Sequence, residues 1–244
     1  WGASDGMHGA SHEPRAGVSA DDRREFADED LAGPQLSFEA LRKGMSLLKG
    51  VGMDHRDARL GSRESVKDMA RNLERWVDCI VARTFKHKVL NELAANADIP
   101  IINGLSDFVH PCQALADLRT IEDHLGSIAG RRIALCWAWH PKALPLAVPH
   151  SFALAVSRLG ADLTIVAPEG YDLDPKIDEQ VRANAAASGG SVERRFDRDG
   201  VEGAEVLFVK SWGSLADFGD PGAEAARRAD LREWILDRDL HART

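Results

Sequence analysis

A chain of 244 residues that is 44% hydrophobic and 29% charged carries enough apolar material to bury a core, as one large or two modest globular domains. Its formal net charge of -8, with no basic stripe to offset the acidic excess, excludes nucleic acid or an anionic membrane as the main partner. Cys79, Cys112 and Cys136 lie far apart without C-x-x-C spacing, no run approaches the ~18 apolar residues of a membrane span, and the opening residues lack a signal core, so a reducing cytoplasmic setting is expected.

Residues 1–32 are rich in Gly, Ala, Ser, Asp, Arg and His without an apolar period, and they read as a loose tail. Phe38, Leu41, Met45 and Leu48 recur at helical spacing within Ser37–Lys49, and the run Lys49-Gly50-Val51-Gly52 stops that helix. A loop of charge and glycine follows through Gly61. Ser62 is placed to cap a second helix, Arg63–Val77, with Glu64 complementing its dipole. Then come a strand at Cys79–Ala82, a helix at Lys88–Asn96, a strand at Pro100–Asn103 and a helix at Gln113–Leu125. Pro111 suits the first turn of that last helix, and Leu115, Leu118, Ile121 and Leu125 form its apolar positions.

A second series begins after Gly126–Gly130. Arg132–Trp139 reads as a buried strand, Ala147–Leu159 as a helix and Leu163–Ala167 as the next strand, closed by the turn Pro168-Glu169-Gly170-Tyr171. Asp174–Ala187 is a helix stopped by Gly189-Gly190; Ser191–Phe196 and Glu205–Lys210 are strands, and Arg227–Asp237 is a final helix. Strand and helix alternate at βαβ spacing, so the expected fold class is α/β with two doubly wound parallel-sheet domains. The expected division is 33–125 and 126–244, with a crevice between the two units.

The segment Ile101–Gln113, IINGLSDFVHPCQ, carries the functional signal. A strand ends in a Gly/Ser/Asp turn and delivers His110 and Gln113 together to the start of a helix. In open α/β sheets ligands bind outside the carboxyl ends of the strands. The bland alternative is a helix N-terminal cluster with no ligand, just as Arg83 alone could be a surface charge and Lys210 a solvated loop residue. Cys112 has no base placed beside it by spacing and reads as a small filler. His140 and His150 do not make a metal motif, His8 and His12 fall in the tail, and Trp137, Trp139 and Trp212 are more often packing than stacking platforms. The absence of G-x-G-x-x-G weakens a dinucleotide reading.

VARTF (Val81–Phe85), IINGLSD (Ile101–Asp107), HPCQALAD (His110–Asp117) and PEGY (Pro168–Tyr171) resemble the aspartate/ornithine carbamoyltransferase family over about residues 35–240. WAWHPKALPLAV (Trp137–Val148) and VKSWGSL (Val209–Leu215) resemble its N-acetylornithine and N-succinylornithine branch. The resemblance implies a carbamoyl-phosphate domain at 33–125, an acceptor domain at 126–244 that is knotted in the full protein, a homotrimer with sites between subunits, and no metal or organic cofactor. It implies that Arg83 binds the phosphate and carbonyl oxygens, that His110 donates to the carbonyl oxygen and that Gln113 meets the carbamoyl amide nitrogen. Such a reaction passes through a tetrahedral oxyanion, so it needs preorganised donors and no covalent nucleophile. Lys210 and Trp212 are implied on the acceptor side. Where ordinary ornithine enzymes carry an acidic D-x-W-x-S-M-G loop, this chain reads Lys210-Ser211-Trp212-Gly213-Ser214. A lysine repels a free α-ammonium but serves the carboxylate and carbonyl of an N-acylated ornithine.

Two departures accompany the resemblance. The S-T-R-T-R phosphate signature that should precede Ser37-Phe38-Glu39 is replaced by Leu31-Ala32-Gly33-Pro34-Gln35-Leu36, and the H-C-L-P-x-R segment is not found. The expectation is that both domains are incomplete here, in a fragment of an active enzyme or in a non-catalytic paralogue that keeps the fold. An unrelated doubly wound nucleotide-binding protein is the third class. The surrounding reading frame separates the first two.

Overall fold

The structure, a computed structural model, describes residues 64–217 and 220–244. The expected tail 1–32, the helix at 37–49, the glycine loop after it and the Ser62 cap lie outside the described residues.

The first described helix, α1 (Val66–Leu73), begins at Ser65, whose hydroxyl accepts the Asp68 N–H at 3.1 Å and donates to the Asp68 carboxylate at 2.7 Å. That reciprocal pair satisfies an orphan helix donor and fixes the start. At the far end the Leu73 carbonyl accepts from Trp76 and Val77 in a turn, so this helix stops short of the expected Val77. β1 (Ile80–Arg83) and β2 (Ile101–Leu105) pair in parallel across α2 (His87–Asn96), with a register shift at Ala82/Arg83 that sets Arg83 opposite Leu105. Val66, Ala70, Ala82, Leu90 and Leu93 form the small core of this unit.

Next, α3 (Pro111–Leu125) leads to the second sheet. Its elements are β3 (Arg132–Trp137), α4 (Ala147–Arg158), β4 (Asp162–Val166), α5 (Pro175–Ser188), β5 (Ser191–Arg195), a 3-10 turn at Arg198–Val201 and β6 (Val206–Lys210). All four strands are parallel in the order β5-β4-β3-β6. The chain winds outward from β3 to β5 and then returns to lay β6 on the other side of β3, which makes the sheet doubly wound and puts its switch point between β3 and β6. Ile133–Trp137 are no more than 1% exposed, and burial of each large side chain contributes about 1.5–3 kcal/mol. Phe152 of α4 stacks on Phe208 of β6 at 3.9 Å. Asp174 caps α5 by accepting the Lys176 N–H at 2.9 Å, and Gly189 closes it at φ +82°, a conformation that suits glycine. The following Gly190 has no room for a side chain, since a Cβ there would meet the Ala161 carbonyl at 2.3 Å.

The last segment differs from expectation. Helix α6 (Pro221–Ala229) starts six residues before Arg227, because Asp220 accepts the Gly222 and Ala223 N–H groups at 3.0 Å and Pro221 presets the first turn. The helix does not continue to Asp237. Trp234 is held instead by its carbonyl, which accepts the Trp139 N–H at 2.6 Å, and by edge packing of its ring on Trp137 at 6.1 Å. A separate short α7 (Arg238–His241) is capped by Asp237. Among the described residues no helix is long and apolar enough to cross a membrane, and the three cysteines are unpaired.

The two sheets are joined through His150 on α4. Its Nδ1 lies 2.9 Å from the Phe108 carbonyl and its Nε2 accepts the Asp174 N–H at 3.1 Å. This arrangement requires the neutral ring with its proton on Nδ1. Burial pushes the His150 pKa below its ordinary value, opposed by the Phe108 carbonyl and by Asp174. Between the lowered folded value and the ordinary value near 6.5, the unfolded chain binds the extra proton. Stability from this group is therefore complete above that ordinary value and is lost as pH falls through the folded one. Urea midpoints measured against pH should decline over this acidic window more steeply in the wild type than in His150→Gln; equal slopes would refute the assignment.

Candidate active site

The parallel strands β1 and β2 end at one edge. Arg83, exposed, closes β1, while β2 runs into a turn organised by buried Ser106. The Ser106 hydroxyl accepts the Phe108 and Val109 N–H groups at 3.3 and 3.1 Å, and the Asp107 carboxylate accepts the His87 N–H at 2.9 Å, tying the turn to the start of α2. This turn delivers His110 as the N-cap residue of α3, with its backbone N–H donated to the Ser151 hydroxyl on α4 at 2.6 Å. The His110 side chain makes no capping bond, so the bland reading of a side-chain cap does not describe it.

His110 Nδ1 is enclosed and has no hydrogen-bond partner. Burial lowers the His110 pKa first and Arg83 lowers it further, while Asp117 acts in the opposite direction. Arg83 and His110 therefore share one electrostatic environment. One turn into the helix, Gln113 donates its amide N–H to Asp117 Oδ1 at 2.9 Å, which uses the donor end of the amide and keeps its oxygen available as an acceptor. The Asp117 carboxyl is pushed up by burial, against the effects of Gln113 and His110. Cys112 lies beside this group with its Sγ 3.4 Å from the Asn103 carbonyl; its thiol pKa is raised by burial, the opposite of an activated nucleophile.

The remaining two candidates lie at the switch point of the second sheet. Lys210 ends β6 opposite Trp137 and accepts the Ala138 N–H on its carbonyl. Among the described residues its ammonium group has no ion pair, and no hydrogen bond joins it to the His110 group. Trp212 is wholly buried, and its indole N–H is donated to the Tyr171 carbonyl at 3.1 Å. With the ring enclosed and its donor bound, Trp212 packs beneath the loop that carries it.

The loop is fixed by residues that the sequence did not single out. Glu224 and Arg228, buried one turn apart on α6, form an ion pair at 2.5 Å. The Arg228 guanidinium also donates to the His140 carbonyl at 3.0 Å, the Ser211 hydroxyl at 3.1 Å and the Trp212 carbonyl at 3.0 Å. Glu224 accepts the Ser214 N–H at 2.9 Å and the Tyr171 hydroxyl at 3.3 Å. Burial and the facing Glu224 carboxylate push the Tyr171 phenol up to about 12, so it remains a donor. The i, i+4 spacing of the pair was visible in the sequence, but Glu224 fell outside the helix expected at 227–237. The Asp220-Pro221 start signal would have placed it.

Between these loops lies a cavity of about 510 Å³, lined by Asp107, Lys142, Leu144, Gly213, Ser214 and Arg228 among others. It is of a size that suits a small ligand and it spans both units, from the turn before His110 to the loop after β6. Among the described residues no cluster of three or more His, Cys, Asp or Glu side chains is arranged to hold a metal ion.

Comparison with known proteins gives matches over both units. Residues 35–123 match the carbamoyl-phosphate-binding domain of aspartate/ornithine carbamoyltransferases, and residues 134–244 match the Asp/Orn-binding domain. The ornithine carbamoyltransferase of Thermococcus kodakarensis is 41% identical over 209 residues, covering 84% of this chain and 62% of that protein. The Pyrococcus abyssi enzyme of the same name is 39% identical over 209 residues, with the same coverage of each chain. Among solved structures, the ornithine carbamoyltransferase from Pyrococcus furiosus aligns with a TM-score of 0.67 at 39% identity, covering 77% of this chain and 57% of that one. An N-acetyl-L-ornithine transcarbamylase aligns with a TM-score of 0.72 at 32% identity, covering 81% and 62%. The chain thus spans about three-fifths of the length of the curated relatives it matches.

Proposed function

Because the chain belongs to the aspartate/ornithine carbamoyltransferase family, we propose that the protein transfers the carbamoyl group of carbamoyl phosphate to the δ-amine of an ornithine-type amino acid. The observation that carries this reading is the placement of Arg83 at the end of β1, beside the β2 strand whose turn leads to His110 and Gln113 at the start of α3. The Arg83 fork binds phosphate and carbonyl oxygens, His110 donates to the carbonyl oxygen, and the amide oxygen of Gln113 accepts from the carbamoyl NH₂. The amine attacks the carbonyl carbon, the C–O bond to phosphate breaks with its electron pair, and the amine loses a proton. Residues 33–125 serve as the carbamoyl-phosphate domain and 126–244 as the acceptor domain. The family resemblance supports a homotrimer with shared sites and a place in arginine biosynthesis, and the unpaired, widely spaced cysteines support a cytoplasmic setting.

For the acceptor, the proposal is an N-acylornithine such as N-acetylornithine. The support is Lys210 at the end of β6, where an ammonium group disfavours a free α-amine by a few kcal/mol, on the order expected for like charges at a partly buried site. An N-acetyl-L-ornithine transcarbamylase among the structural neighbours, studied with carbamyl phosphate and N-succinyl-L-norvaline, agrees with this choice. Ordinary ornithine is the second reading, favoured by the names of the sequence relatives. A non-catalytic family member is the third, motivated by Leu31–Leu36 in place of the phosphate signature. Supplied with carbamoyl phosphate, the protein is expected to carbamoylate N-acetyl- or N-succinylornithine faster than ornithine, read by colorimetry of the ureido product. Faster turnover of free ornithine would overturn the acceptor assignment, and no turnover of any of the three would overturn catalysis.

A further inference from the structure

Three polar atoms around the start of α3 are enclosed and lack a hydrogen-bond partner: Nδ1 of His110, Oδ2 of Asp117 and Oδ1 of Asn103. Enclosed polar atoms are nearly always paired, so three together mark a place whose bonding is completed in another state. His110, Gln113 and Asp117 follow one another at i, i+3 and i+7 and share a helix face. Asp117 already holds Gln113 through Oδ1, and its second oxygen is the unpaired one.

We propose that Asp117 is the positioning residue of the carbamoyl site: Oδ1 fixes the Gln113 amide with its oxygen outward, and Oδ2 takes the Nδ1–H of His110 so that Nε2–H is aimed at the substrate carbonyl. This inference rests on the carbamoyl-transfer reading above. Hydrogen bonds of this kind are often open in a free site and tighten when ligand is bound. The need for such a residue follows from the surroundings of His110. The charged groups that bear on the ring are Arg83, from β1, and Asp117, from its own helix; α4, packed against this segment, contributes the Ser151 hydroxyl on the backbone N–H. Burial and Arg83 drive the ring toward its neutral form, in which a single proton is shared between two possible nitrogens. A carboxylate at Nδ1 keeps a proton there and favours a second on Nε2, the form that can donate to a carbonyl oxygen. Without Asp117 the Gln113 amide also loses the bond that tells its oxygen from its nitrogen.

Imidazole ¹H–¹⁵N correlation spectra of His110, recorded across pH on the wild type, D117N and D117E, test this directly. In the wild type the neutral ring should carry its proton on Nδ1. D117N should lower the His110 pKa by about one unit, the shift expected on losing a nearby opposite charge, and D117E should restore it. In carbamoyl-transfer assays the alkaline limb of the D117N kcat profile should move down in pH by the same amount, with little change in KM for the acceptor. A wild-type neutral ring protonated on Nε2, or an unchanged titration in D117N, would overturn the proposal, and the first of these needs no variant to fold. The predicted titration shift in a protein that does not bind carbamoyl phosphate would support the positioning role while removing the carbamoyl reading on which its chemistry was framed.

Discussion

His110→Ala is expected to lower kcat for carbamoyl transfer by about a hundredfold or more, the usual cost of removing one preorganised donor from an oxyanion site. The fold should survive the change. The His110 side chain makes no capping bond and its Nδ1 is unpaired, whereas the contact that anchors the helix start is the backbone N–H on Ser151, which alanine keeps. Steady-state assays should therefore show a collapse in kcat while the urea midpoint stays near that of the wild type. A variant that turns over at the wild-type rate would remove His110 from the chemistry. One that loses activity and stability together would make it structural.

Arg228→Met should cost about 3–5 kcal/mol of stability, because it strands the Glu224 carboxylate in a buried site. The figure is a large share of the 5–15 kcal/mol that holds a typical domain folded. The pair is well compensated as it stands, since the guanidinium is met by Glu224, two carbonyls and a hydroxyl, and the carboxylate is met by Arg228, the Ser214 N–H and the Tyr171 hydroxyl. Denaturant titration of Arg228→Met, Glu224→Gln and the double variant checks the assignment. The double variant should recover much of what Arg228→Met loses, since no uncompensated charge remains. If Arg228→Met costs less than about 1 kcal/mol, the range typical of exposed pairs, the pair is not the buried joint described here.

Much of the fold was legible because its signals are local. The run Ile133–Trp137 is apolar on both faces, as a central parallel strand must be, and Gly189 stops α5 where the backbone needs a positive φ. Boundaries moved by a residue or two where pairing with a neighbour decided them, as when β2 extended to Leu105 opposite Arg83. Helix α6 was missed because its start is set by an Asp-Pro cap and its end by a tryptophan bound to the chain near Trp139, neither of which leaves an apolar period. The candidate pair was legible for the same local reason: His110 and Gln113 sit three residues apart at the start of α3. What supports them was not. Ser151 meets His110 across 41 positions, and Arg228 meets His140 across 88. Nor does the sequence show that Trp212 lies buried with its indole N–H on the Tyr171 carbonyl, 41 positions away.

The Arg228 joint also bears on how this protein could be re-engineered. Two separate loops, the one leaving β3 and the one leaving β6, take their shape from a guanidinium that belongs to neither. Transplanting Lys210–Ser214 alone into another scaffold would carry the letters of the loop without its mould. The transferable unit is the loop together with α6 and Tyr171, and substitutions gathered within the loop during divergence are constrained to keep the Ser211 hydroxyl and the Trp212 carbonyl that Arg228 reads.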